Sequence, residues 1–215
     1  MTTFTGTTSI LKFSLLIFLI SFYFSFPTKK LADNKIEKKH FVVALLPYKG
    51  FDATLIDFVN KETETFYQCK VVALKPVELP SFAFYAPRNR YKADSLLVYE
   101  DRLINKGIDA IAGLTNKDIS TSKDKIPDWG VFGLGMCPGQ VCVISTHRLQ
   151  DASVPREKLK ERLIKVVLHE IGHNLGLPHC TNDPECLMTD AGGTIKQVDR
   201  EKKWICPSCR LKLIM

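Results

Sequence analysis

Cysteine is sparse in this chain. Seven cysteines among 215 residues are too few for a miniprotein held together by disulfides. There is no internal repeat and no low-complexity tract, which excludes collagen-like and array architectures. Hydrophobic residues at 45% and charged residues at 25% exclude a disordered chain. Only one long apolar run exists, so a polytopic membrane protein is also excluded. A basic surface with interleaved aromatics is missing too. The net charge is +7, but residues 1–39 hold six lysines against Asp33 and Glu37 and so carry four of those charges. The excess sits beside one apolar segment and is not spread over a binding face. No nucleic-acid partner is expected.

The apolar run is Ile10 to Phe26, interrupted by Lys12 and three serines. As a helix its 17 residues reach about 26 Å, against a hydrocarbon core of about 30 Å. Residues 1–39 are therefore read as a hydrophobic anchor or signal segment with a basic linker. The chain is expected to be membrane-anchored or exported, associating with the membrane through residues 10–26, with the side left open.

Residues 40–215 read as one catalytic domain of α/β class, a small mixed sheet with packed helices. Apolar runs predict strands at 40–47, 69–74, 109–115, 129–135 and 141–146. Helical periodicity predicts helices at 51–66 and 93–104 and, most clearly, at 156–175, where Pro155 marks the start and Gly176 the stop. Prolines 76, 80 and 87 mark 76–90 as a loop. The 39 residues after Gly176 show little periodicity and cannot bury a core alone.

The last turns of the third helix read His169-Glu170-Ile-Gly-His173-Asn-Leu-Gly176-Leu-Pro-His179. His169 and His173 are four apart and project from one face, so they can share an ion. Gly176 lets the chain turn back and bring His179 to the same point. Three imidazoles leave a fourth position open on Zn²⁺, the pattern of a catalytic rather than a structural site. Glu170, one residue past His169, is placed to act as general base on a zinc-activated water and to pass the proton to the leaving amine. These parts suffice for hydrolysis of a peptide bond. His40 is read as a strand-edge surface residue and His147, at the end of the Val141 strand, as structural rather than facing the cleft.

The tail carries Cys180, Cys186, Met188, Cys206 and Cys209. Cys206-x-x-Cys209 is a zinc-knuckle spacing, and Cys180 with Cys186 can complete a four-thiolate site. Such a site would staple the coreless tail to the catalytic loop. Two disulfides are the alternative. Cys137 and Cys142 read either as a local disulfide or as free thiols, and Cys69 as a buried hydrophobe.

The helix, glycine turn and third histidine resemble the metzincin clan of zinc metallopeptidases. Joined directly to four cysteines, they resemble the archaemetzincin family. The resemblance implies a zincin-like fold with Met188 as an apolar floor under the histidines. It implies two zinc ions per chain, one catalytic and one structural, and a peptide or protein substrate. It also implies aminopeptidase-like or restricted specificity, with substrate extended along an edge strand near Val141–Thr146. The chain departs from the family in having five residues, not four, between its first two cysteines. Two other classes stay open at this level. One is a non-catalytic zinc-binding scaffold, against which Glu170 argues. The other is a zinc-ribbon nucleic-acid binder using Lys202, Lys203, Arg210 and Lys212, to which Trp204 adds the only aromatic.

Overall fold

A computed structural model describes residues 2–3 and 41–213. The central sheet is built on strands whose two faces are both covered. β1 (Val42–Pro47) sends Val43 and Leu45 to one core and Ala44 and Leu46 to the other. This is why it reads as an unbroken apolar run rather than an alternating one. β2 (Lys70–Ala73), β1, β5 (Ala110–Thr115) and β9 (Val141–Ser145) pair in parallel in that order. The short β8 (Gly133–Gly135) closes the sheet antiparallel to β9. Among the described residues β8 and β2 are thus the edges.

α1 (Ile56–Tyr67) and α3 (Arg156–Asn174) contribute to one core, and α2 (Ala93–Asp101) to the other. α3 is the principal helix. Leu159, Leu163, Val167 and Ile171 recur every four residues and are buried, each contributing about 1.5–3 kcal/mol by leaving water. The helix ends where Gly176 takes a φ of +86°, with Gly176 N–H donating to the His173 carbonyl and Leu177 N–H to the Gly172 carbonyl. This glycine-capped stop turns the chain back toward the helix.

A second sheet stands apart from the sequence expectation. It runs β3 (Phe84–Tyr85), β4 (Arg90–Lys92), β6 (Ile119–Lys123), β7 (Ile126–Val131). The stretch 76–90, expected as loop, therefore contributes strands. The single strand expected at 129–135 is two strands in different sheets, with Phe132 between them. The edge assigned to Val141–Thr146 is also corrected: β9 is interior, between β5 and β8. The tail contains two short helices, α4 (Ile195–Arg200) and α5 (Pro207–Arg210). Cys69 is half-buried.

The expected anchor at residues 10–26 and its basic linker, with His40, lie outside the described residues. The expectation of a membrane-anchored or exported protein is corrected. Among the described residues no helix is long and apolar enough to cross a membrane, and no hydrophobic anchor is shown.

Candidate metal centre and active site

The end of α3 and the turn after it bring His169, His173 and His179 together. One ligand atom from each lies within 4.8 Å of the others, and the ring centroids are 4.6, 4.8 and 5.5 Å apart. His169 Nδ1 lies 2.7 Å from the Leu187 carbonyl, and His173 Nδ1 2.7 Å from the Leu177 carbonyl. A carbonyl only accepts, so both Nδ1 atoms carry the proton and both Nε2 lone pairs are free for a cation. Burial, together with the neighbouring His173, pushes His169 down to about 3, and burial lowers His173 as well. Both rings are therefore neutral, as ligation requires. His179 is exposed.

Met188 is fully buried and packs where α3 has no side chain: a Cβ on Gly172 would stand 2.6 Å from its sulfur. The apolar floor inferred for Met188 agrees with this placement.

Glu170 faces the cleft from α3 and is held by the sheet edge. Cβ atoms on Gly133 and Gly135 would stand 2.6 and 3.1 Å from its carboxylate oxygens. β8 comes this close because two glycines line it there. Burial, reinforced by the charge of Asp190, pushes the Glu170 carboxyl up to about 8, while the Gly135 amide works in the opposite direction. At neutral pH such a group is poised to exchange a proton. Burial raises Asp190, but the Gly192 amide, foremost, and the nearby His179 and Lys123 leave it below the usual carboxylate range. Asn174, next to His173, donates to the Met136 and Val141 carbonyls at 3.0 and 2.8 Å and ties the β8–β9 turn to the helix. The cleft is about 500 Å³ and also takes in Trp129, Phe132, Val166 and Glu201.

Cys180, Cys186, Cys206 and Cys209 form a second cluster, buried, with their sulfurs within 4.8 Å of one another. All seven cysteines are free thiols, so neither the tail nor the Cys137/Cys142 pair carries a disulfide here. Cys180 and Cys206 sulfurs stand 3.7 Å apart, close to the edge of about 3.8 Å of a tetrahedron with zinc–sulfur bonds of about 2.3 Å. The donor set and spacing fit zinc. Cys180 N–H donates to the Met188 carbonyl and Leu187 N–H to the Trp204 carbonyl, which laces the tail under the histidines.

Every motif histidine and cysteine named from sequence is in one of the two clusters. Sequence reasoning missed Gly133, Gly135, Asp190 and Glu201. The Gly-Leu-Gly at 133–135 was the one available signal, since glycine within a strand marks a close approach.

A mixed sheet, a histidine-bearing helix ending in a glycine turn, and a methionine beneath it define a zinc metallopeptidase of the metzincin class. The model of peptidase family M54 matches residues 55–214. The chain belongs to that family. Archaemetzincin from Haloarcula marismortui is 34% identical over 179 residues, covering 80% of this chain and 99% of the relative. The crystal structure of archaemetzincin from Methanopyrus kandleri superposes with a TM-score of 0.69 at 29% identity, over 82% of this chain and 95% of that one. That of Archaeoglobus fulgidus, complexed with malonate, gives 0.68 at 26% identity, over 80% and 100%. The protein is a hydrolase that depends on zinc and acts on peptides or proteins.

Proposed function

We propose that residues 40–215 form a peptidase domain in which His169, His173 and His179 hold the catalytic zinc and Glu170 is the general base. Cys180, Cys186, Cys206 and Cys209 hold a second, structural zinc. Bound at the histidines, zinc supplies Lewis-acid polarisation of the substrate carbonyl and acidifies the attacking water. The remaining work belongs to the chain. Glu170 accepts the proton of the attacking water and delivers it to the departing amine. The Nδ1 bonds to Leu187 and Leu177 fix the imidazole orientations. β8 offers an edge free of strand partners among the described residues, to which an extended peptide can add as a further strand. Specificity is aminopeptidase-like or otherwise restricted.

The observation that carries this reading is the Glu170 carboxylate, held against Gly133 and Gly135 in the same cleft as the histidines. A scaffold without turnover has no use for a carboxylate there. Glu170→Gln is expected to keep its metal content and lose hydrolysis by about 10²–10⁴-fold. Metal analysis and a peptide-library digest check this, and undiminished turnover would remove Glu170 from the mechanism.

A further inference from the structure

The cleft contains a second buried carboxylate, which catalysis as described does not use. Glu201, at the end of α4, is 5% exposed. Its Oε1 accepts one long hydrogen bond, 3.4 Å from Gln197 Nε2, and its Oε2 accepts none among the described residues. No lysine, arginine or histidine among them comes within 4 Å of this carboxylate. Lys165 is close, but its ammonium donates to Glu161 Oε1 and to the backbone carbonyl of Glu201, each at 2.9 Å. The unbonded Glu201 oxygen is not fully sealed from the cleft, so a cationic donor entering there can reach it. Burial pushes Glu201 up to about 7; Gln197 and Lys165 oppose this and Asp190 adds to it.

The surroundings indicate what is missing. Phe132, Val166 and Val198 line the same cleft, and apolar walls ending at a carboxylate suit an aliphatic stem with a cationic head. Asp190, also on the cleft lining, adds charge of the same sign. Glu201 and Glu170 line this same cleft.

We infer that the cleft selects a lysine or arginine residue flanking the scissile bond and seats its cationic head on Glu201. This rests on the peptidase reading above and names the substrate class for it. A free α-amine presents the same ammonium chemistry, so the test separates the two sources.

Zinc-loaded Glu170→Gln protein, which binds without cleaving, is titrated calorimetrically with N-acetylated peptides. The peptides differ only in arginine or its uncharged isostere citrulline at each position flanking the bond. Arginine is expected to bind tighter on the order of tenfold or more at one position, the worth of a charge-assisted hydrogen bond. Adding Glu201→Gln should erase that ratio. Equal binding of arginine and citrulline overturns the inference without any change at Glu201. A ratio that survives Glu201→Gln also overturns it, as does a preference for cationic peptides seen only when the α-amine is free. Wild-type turnover is measured separately. If wild type cleaves neither peptide, the peptidase reading fails, while the binding ratio still decides the role of Glu201.

Discussion

Gly133 and Gly135 set how near the sheet edge comes to Glu170. Alanine at 133 would place a methyl 2.6 Å from a Glu170 carboxylate oxygen and 2.7 Å from its Cγ, so the buried side chain must move. Displacing a reacting group by about 1 Å costs on the order of 10²-fold in rate. Gly133→Ala is expected to lose about that much kcat while keeping zinc; steady-state kinetics with metal analysis checks it, and unchanged kcat would show that the contact is slack. At this scale the sequence is legible where chemistry forces a spacing. His169, His173 and His179 are found from their offsets because one ion must be reached from a helix and its exit turn. Glu201 and Asp190 carry no such spacing. Their place in the cleft depends on how the tail folds back over α3, which no local pattern states.

Among the elements, α3 was readable because a long helix with one buried stripe repeats its apolar residues. β1, β5 and β9 were readable because strands covered on both faces are continuously apolar. The second sheet was not. β3 and β4 are two and three residues long, and β6, Ile-Ser-Thr-Ser-Lys, is mostly polar. Strands this short take their pairing from the tertiary fold. α4 is likewise held from outside. Its Asp199 accepts from Arg162 Nε at 2.8 Å and Nη2 at 2.7 Å, which clips it to α3. That hydrogen bonding, against the opposing effect of burial and with help from Lys158, holds Asp199 at about 2. Its folded value lies below the ordinary carboxylate value of about 4. The stabilisation is therefore present above about pH 4 and lost as pH falls toward about 2. The melting temperature of wild type should fall more steeply across that range than that of Asp199→Asn. Parallel curves would mean that the pair contributes nothing.

For the molecule as a whole, two clusters imply a stoichiometry. Purified protein is expected to hold close to two zinc ions per chain, and Cys206→Ser close to one, with a melting temperature lower by several degrees. Metal analysis beside calorimetry tests both. One ion in the wild type with the tail cysteines oxidised, or an unshifted melting curve in the variant, would remove the structural site.

His179 and Cys180 are consecutive, so the third imidazole is carried on the same stretch of backbone as the first sulfur of the tail cluster. That cluster is completed only by Cys206 and Cys209. During synthesis the HExxH helix and Glu170 leave the ribosome well before those two thiols do. On the proposed reading, a nascent or prematurely stopped chain would carry Glu170 and the three imidazoles while half of the thiolate cluster behind the third was still missing, and is expected to gain full activity only once Cys209 has emerged.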